Sequence, residues 1–527
     1  VLTFSPLQYF ILILSLLILL FSIFTFFKGK EKLAVILLLI GALGLRLFMI
    51  TIDPFLHDWD ERFHALVAKN MMTYPFKPML FVNPVLPYDY KAWCCNHIWV
   101  HKQPLFLWQM ALSMKVFGVN EITLRLPSAL MGAIQVYFVF RIGKLLRDSK
   151  AGFFGALFFA IAFYPLQLIA GVGDMDQIRV AFAFYVLASI WAFAEYYNSY
   201  KTYWTILIGL FAGCTVLNMW LPGLIVYGAW GTAFLFKMKF NLTRMFKDGW
   251  KEIMLIVLSL AIAVLIFLPW QIYISHAFPL ESTYEAQWNS RHITEALENH
   301  EGSWYYYVLQ MPLQFGKVFA LLIPLGLFSL FGFSRNRLLL VALLFCLIVP
   351  YAFFSIIVQT RMPSYVYMSH FIIWLSFGLL VSGLSELPPL NKDFKFKSII
   401  QTSFLFILCV LFVFKIDDIL SNDLLQQAVG NIQSYREKKI HNTEIYKRLD
   451  QLVPPGYVVF NCNSFENVEA MFYSNRTVYN WFPNQKQYDS LKNLGIKIAA
   501  FESHEQYQLP EYIGRDTSII LIKDNLK

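Results

Sequence analysis

The run His57-Asp58-Trp59-Asp60-Glu61-Arg62-Phe63-His64 places three carboxylates, two imidazoles and a guanidinium within eight residues. A carboxylate in such company can act as a general base toward a hydroxyl group. If Asp60 to His64 is helical, three- and four-residue spacing puts Asp60, Glu61 and His64 on one face. The neighbouring Trp59, Phe63 and Ala65-Leu66-Val67 predict a segment lying against a membrane surface. Reduced dielectric there raises a carboxylate's pKa toward base strength. The plainer alternative is a solvated helix start, where acidic residues are favoured by the helix dipole. A second acidic turn, Gly173-Asp174-Met175-Asp176-Gln177, is followed by Arg179, which is expected to pair with Asp176 and orient it. A third segment, 271–312, carries Glu281, Glu285, Trp288, Arg291, His292, His300 and the run Trp304-Tyr305-Tyr306-Tyr307. Those aromatics read either as interfacial anchors or as a platform for a sugar ring or an acceptor. Arg125 is expected to be structural, bonding carbonyls near a helix that starts at Pro127. Arg46, near the end of an apolar run, can snorkel and support Asp60.

The elements that hold these groups are apolar helices. Of 527 residues, 57% are hydrophobic and only 15% charged, and mean hydropathy is +0.52. Soluble domains carry roughly a quarter charged residues, so much of this surface must face lipid. Segment 7–27 has no charged residue over about twenty positions, the length that crosses a hydrocarbon core. About a dozen spans are expected, near 7–27, 33–50, 127–146, 151–170, 177–197, 203–220, 221–236, 252–270, 313–333, 338–358, 365–384 and 398–414. The net charge of +9 does not point to nucleic acid, because the cations sit in short clusters between apolar runs. Lys28, Lys30 and Lys32, then Arg141, Lys144, Arg147 and Lys150, then Lys237 to Lys251, Arg335 with Arg337, and Lys392, Lys395 and Lys397 all fall on one side of an alternating path. That side is therefore read as cytoplasmic. The other side receives loops near 53–103, 171–177, 271–312 and 359–364, and a polar tail. The tail alternates strand-like runs (458–461, 497–501, 518–522) with helix-like ones (466–473, 485–494), behind amphipathic helix over 420–452. It is large enough for a small α/β domain. Cys94, Cys95 and Cys462 lie in polar segments and can oxidise in an oxidising compartment, with no connectivity implied. The first apolar run lacks the basic start of a cleavable signal peptide.

A series of short motifs adds to this reading. Arg46-Leu47, Trp59-Asp60-Glu61 with His64-Ala65, and Lys102-Gln103-Pro104-Leu105-Phe106-Leu107-Trp108 follow in order. Phe117-Gly118-Val119-Asn120-Glu121, Arg125-Leu126-Pro127-Ser128-Ala129 and Arg361-Met362-Pro363-Ser364-Tyr365 complete the series. It resembles membrane glycosyltransferases of the C superfamily, nearest the protein O-mannosyltransferases and the lipid A aminoarabinose transferases, with gaps from Arg46 to Tyr367. The resemblance implies a sugar donor joined to a polyprenyl monophosphate. It implies Asp60 as base, Glu61 as a supporting carboxylate and Asp176 as the second acidic position. Lys102 and Arg361 would hold the donor phosphate, with Tyr365 donating a hydrogen bond to it, and stabilise the leaving group's charge. Two departures stand out: Gln103 where the family commonly has proline, and His101 where the aminoarabinose transferases carry a metal-linked glutamate. A divalent metal remains open, held by His101 and His64 with His57 or His97.

The expected architecture is an all-α polytopic membrane bundle of about 11–13 transmembrane helices over 1–414, with an extracytoplasmic α/β domain over 415–527. The expected activity is inverting glycosyl transfer from a polyprenyl-phosphate sugar to a hydroxyl of a protein, lipid A or cell-envelope glycan. The partners are that donor, the acceptor and the bilayer. The location is the outer, periplasmic face of a bacterial inner membrane. The rival from another class is a flippase for lipid-linked sugars, whose ionisable residues would sit nearer mid-membrane.

Overall fold

The computed structural model describes residues 4–171, 177–386, 432–502 and 509–527. Two helices open the chain, α1 (Pro6–Phe27) and α2 (Glu31–Ile50), packed against each other as a hairpin. α1 begins at a capping box in which Ser5 and Gln8 satisfy each other's backbone amides, two of the donors a helix start leaves unpaired. Two short helices, α3 (Asp60–Met71) and α4 (Pro104–Phe117), then lie in the first loop. The bundle continues with α5 (Glu121–Leu146), α6 (Ser149–Ile161), α7 (Phe163–Ala170), α8 (Ile178–Ser199), α9 (Tyr203–Asn218) and α10 (Ile225–Lys237). After α11 (Leu242–Lys247) come α12 (Trp250–Ala277), α13 (Pro279–Thr294), α14 (Tyr306–Phe315), α15 (Lys317–Phe333), α16 (Arg337–Ala352) and α17 (His370–Glu386).

Among the described residues seven helices are long and apolar enough to cross a membrane, and nine if each bent pair is one span. α6 and α7 meet at 46°, and α14 and α15 at 114°. A helix answers each expected span up to 384, with α9 and α10 shorter than a full crossing. The span at 398–414 and Lys392, Lys395 and Lys397 lie outside the described residues. One boundary is corrected: the helix holding Pro127 starts at Glu121, capped by Asn120, so Pro127 is interior. A proline there leaves the carbonyl four residues earlier without its helical donor. Ser113 Oγ supplies one, at 2.6 Å from the Thr123 oxygen. The expected 313–333 span is likewise broken, since Gly316 adopts φ +79° between α14 and α15.

Arg46 is corrected too. It does not snorkel: its side chain is fully buried and donates to the carbonyls of Ala42 (3.0 Å) and Ala160 (3.1 Å). The second of these lies beside the α6–α7 bend, where carbonyls lose their helical partners. Helices α5, α6 and α17 approach closely through glycine. A Cβ on Gly152 would strike the Phe140 carbonyl, and one on Gly378 the Ala151 carbonyl. That use of small residues is the way apolar helices pack where lipid removes a hydrophobic drive between them.

The basic clusters gather at one end of the bundle. Lys144 meets Glu31, Arg141 meets Glu195, Lys237 meets Glu252, and both Arg147 and Arg335 meet Glu386. The first loop and the carboxy-terminal region occupy the other end. That region starts with α18 (Ile432–Leu452) and continues through β1 (Tyr457–Phe460), α19 (Glu466–Tyr473), β2 (Thr477–Val478), α20 (Gln485–Asn493), β3 (Lys497–Phe501), α21 (Glu511–Gly514) and β4 (Ile520–Ile522). Among the described residues the four strands form one parallel sheet in the order β2-β1-β3-β4, with a helix in each of the three connections. β1 and β3 are apolar and almost wholly buried, as strands covered on both faces must be. The three strands expected in the tail are present, as are its helices from Ile432 onward, while the expected helix over 420–431 lies outside the described residues. Its placement was not foreseen, because α19 packs directly on α3 and shares one apolar core with the first loop.

Candidate functional site

Asp60 is the first residue of α3, and Trp59 just before it holds φ +62°, a left-handed conformation rare for a bulky residue. This turn aims the Asp60 carboxylate at a cavity of about 840 Å³, a volume that suits a substrate-sized ligand. Lys102, two residues ahead of α4, reaches the same wall and donates to Asp60 Oδ2 at 3.2 Å. Their side chains are 14% and 28% exposed, so both remain open to the cavity. Beside them His101 Nδ1 lies 2.9 Å from Glu285 Oε2, and Gln271 Nε2 donates to Gln103 Oε1 at 2.7 Å. The glutamine at the position where proline was expected thus links the first loop to α12. Across the cavity Arg179 sits over the Tyr365 ring at 4.8 Å, with a guanidinium nitrogen 3.2 Å from Met219 Sδ. Phe182, Val216, Phe267 and Phe354 line an apolar part of the wall, while Asn289, His292 and His300 line a polar part.

The electrostatics reverse one expectation. Burial raises the Asp60 pKa, but Lys102, His64 and His101 together outweigh it and hold the carboxyl below its usual range. Asp60 is therefore a pinned, ionised carboxylate, whereas a raised pKa was expected from the apolar surroundings. His292, in the polar wall, is pushed down to about 4 by burial and by the cations around it, so it is neutral near pH 7.

Glu61 also departs from its expected place on the Asp60 face. Its side chain is buried and turned inward, accepting from Arg125 Nε (2.7 Å) and a terminal nitrogen (3.0 Å), from the His57 amide (2.6 Å) and from Gln177. Arg125 and His57 overcome the burial and hold the Glu61 carboxyl low. Arg125 also donates to the carbonyls of Asp53 (2.7 Å) and Phe55 (2.6 Å). Its expected bonding to carbonyls is present, with the Glu61 ion pair in addition. His57 closes the nest, its rings' nitrogens lying 2.6 Å from Glu61 and 2.9 Å from Asp53.

Arg361 is placed differently from Arg179. Its guanidinium is tied to the carbonyls of Gly302 and, at 3.0 Å, Ser355, joining the loop at Gly302 to the helical turn Phe353–Ile357 that follows α16. Tyr365, four residues on, does line the cavity. Asp176, and with it the expected Arg179 pair, lies outside the described residues. For a metal, the described residues contain no group of three His, Cys, Asp or Glu side chains that could hold one. His64 is buried, edge-on to Trp99 at 5.7 Å, and His97 stacks on Tyr88, so the four loop histidines diverge. Cys94 and Cys95 are adjacent thiols 3.1 Å apart, while Cys462 is buried in the carboxy-terminal region beside Tyr446.

The chain is similar to several known proteins. The family model described as dolichyl-phosphate-mannose-protein mannosyltransferase matches residues 101–273, which include His101, Lys102, Arg125 and Arg179. The structure of ArnT from Cupriavidus metallidurans in the apo state superposes with a TM-score of 0.57 at 15% identity, over 88% of each chain. ArnT bound to undecaprenyl phosphate gives 0.58 at 16% identity, over 87% of this chain and 88% of that one. The chain thus has the same overall fold as these two ArnT structures. The archaeal oligosaccharyltransferase AglB from Archaeoglobus fulgidus, in complex with an inhibitory peptide and a dolichol-phosphate, is similar in fold at TM-score 0.53 and 13% identity. The match covers 86% of this chain and 65% of AglB. A protein of Aquifex aeolicus (strain VF5) with no described activity is 30% identical over 151 residues, so the alignment spans about a quarter of that relative's length (27%).

Of the residues that the sequence motifs singled out, Asp60, Lys102 and Tyr365 line this cavity. They missed that Arg436, Lys439 and Glu469, from the far end of the chain, stand behind the same loop. Only the paired charges Asp58 and Arg62, each spaced as if for a partner, could have hinted at it.

Proposed function

We propose that this protein transfers a sugar from a polyprenyl-phosphate-linked donor to an acceptor hydroxyl at the outer face of the membrane. One observation carries the reading: a single cavity unites a carboxylate–ammonium pair, a separate guanidinium and an apolar flank. The apolar flank suits a lipid tail, Lys102, Arg179 and Tyr365 suit its phosphate, and Asp60 suits the acceptor's proton. The polar wall of Asn289, His292 and His300 suits the sugar. A bacterial inner membrane with the cavity periplasmic fits the gathering of cations at the opposite end. The ionisable groups of the cavity cluster at one end of the bundle, which does not favour a flippase.

The reaction is one in-line displacement. Asp60 accepts the acceptor's proton, the freed oxygen attacks the anomeric carbon, and the phosphate leaves toward Lys102 and Arg179. Lys102 has two anions to serve. When a donor phosphate binds it, less of its charge remains to hold the Asp60 proton affinity down, so the donor itself raises the base strength of Asp60. The acid limb of kcat should therefore lie at higher pH than that of kcat/KM, which reports the free enzyme. Coincident limbs would remove this coupling.

The test is transfer of labelled sugar from polyprenyl-phosphate donors in proteoliposomes, with the product's anomeric configuration determined. Inversion supports a single displacement, and retention overturns it. Donor transport without transfer would overturn the enzyme reading. The two arginines separate further. Arg179→Ala should raise donor KM roughly tenfold or more, as loss of a charge-assisted contact does. Arg361→Ala should chiefly lower thermal stability, because its guanidinium is engaged by the backbone carbonyls of Gly302 and Ser355. A larger KM effect at Arg361 would restore the role expected from its motif.

A further inference from the structure

The carboxy-terminal region makes its principal polar contacts with the loop that carries Asp60. On α18, Arg436 and Lys439 are three residues apart and so share a helix face. Arg436 pairs with Asp53 and donates to the Ile52 carbonyl at 3.2 Å. Lys439 donates to Asp58 Oδ1 at 3.2 Å and to Glu469 of α19. Glu469 also faces Arg62 at 3.4 Å, and Arg62 pairs with Asp58. The far end of α3 is held as well, by Lys69 Nζ, which donates to the carbonyls of Met471 (2.8 Å), Phe472 (2.9 Å) and Ser474 (2.7 Å). Farther along α18, Lys447 reaches Glu121 at 2.8 Å, where α5 begins. Contacts from α18 and α19 therefore fall on both sides of Asp60.

The burial pattern gives these contacts a direction. Lys439 and Glu469 side chains are 2% and 1% exposed, whereas Asp58 is 34% exposed and lines the cavity. A buried ion pair thus anchors a carboxylate two residues from Asp60. Between the two lies Trp59, whose left-handed φ must be imposed by its surroundings. Its ring sits 6.2 Å from that of Phe465, at the start of α19. The turn that aims Asp60 is therefore braced from the carboxy-terminal side at Asp53, Asp58 and Trp59.

We propose that the carboxy-terminal region is a clamp on this loop, with Lys439 and Glu469 as positioning residues for Asp60. The proposal rests on the transferase reading above for its kinetic consequence, but not for its structural one. A displaced base loses rate while the donor phosphate, held by other elements, still binds. Misplacement on the order of 1 Å can cost a hundredfold in rate.

The experiment uses the full chain in proteoliposomes and reads kcat, donor KM and amide hydrogen exchange over 53–62. Lys439→Met should lower kcat about tenfold to a hundredfold with donor KM little changed, and speed exchange in 53–62. Lys439→Arg, which keeps the charge, should restore most of the rate. The double variant Lys439→Met with Glu469→Gln removes both charges, so it should regain thermal stability without regaining kcat. If stability and kcat return together, the pair is merely structural and the proposal fails. Unchanged kcat in Lys439→Met overturns it as well. If Lys439→Met does not fold, Asp58→Ala takes its place, since it removes the acceptor and leaves Lys439 paired with Glu469. If the wild type transfers nothing, the transferase reading fails by itself. Exchange over 53–62 then still decides the clamp, and unchanged protection in both Lys439→Met and Asp58→Ala overturns it.

Discussion

Replacing Asp60 by asparagine should lower kcat by about 10²–10⁴-fold, the range that a positioned general base supplies. The change keeps the side chain's shape and its place at the head of α3, so the fold should hold. Donor binding should also hold or tighten, because Lys102 loses the carboxylate at 3.2 Å that competes with a phosphate for it. Transfer assays with donor titration separate these effects, and a raised donor KM with unchanged kcat would reassign Asp60 to binding. The pH dependence has a definite sign. The Asp60 pKa is lowered from 3.8 because Lys102, His64 and His101 outweigh burial. Its carboxylate thus stays ionised as pH falls from 7 to 5, and the acid limb of kcat/KM should not arise from Asp60 in that window. A limb near pH 6 that vanishes in Asp60→Asn would overturn this.

The second large effect is on stability. Arg125→Met should destabilise the protein by about 3–5 kcal/mol, the cost of removing one partner of a buried ion pair. Glu61 would be left buried with its main counter-charge gone, and the carbonyls of Asp53 and Phe55 would lose their donor. Arg125→Lys should rescue little, because one ammonium cannot span three directions at once. The double variant Arg125→Met with Glu61→Gln should recover part of the loss, since neither charge is then stranded. Thermal unfolding in detergent, followed by size-exclusion chromatography, measures this. A melting temperature unchanged in Arg125→Met would show the nest to be dispensable. The Glu61 pKa is lowered from 4.5 by Arg125 and His57 against burial. The stability this confers is full above about pH 4.5 and is lost only as pH falls through the folded pKa. Between pH 5 and 7 the Glu61 carboxylate should contribute a constant amount, whereas His57, whose pKa burial holds below 6.5, should cost stability as pH falls through 6.5.

The two acids illustrate what motif reading can reach. Asp60 and Glu61 are neighbours in one short signature, and spacing alone gave them a common face with His64. A helix turns about 100° per residue, so adjacent side chains diverge, and the partner each finds decides its role. Asp60 meets Lys102 at the cavity. Glu61 meets Arg125, 64 residues away, inside the protein. The same holds for the arginines. Arg361 sits in the more recognisable motif, yet Gly302 and Ser355 carbonyls occupy its guanidinium, while Arg179 lines the cavity.

Hydropathy and charge order along the chain determined the membrane class, the presence of apolar helices at the expected positions up to 384, the gathering of the cations at one end and three of the tail's four strands. These depend on local composition and period, which any chain segment carries within itself. The depressed Asp60 pKa, the inward turn of Glu61, the burial of Arg46 and the docking of α18 and α19 behind the loop were decided by tertiary structure alone. Each depends on distances between groups far apart in the chain, such as Lys439 and Asp58, separated by 381 residues. Electrostatic energy follows distance and local dielectric, and neither is set until the chain has folded.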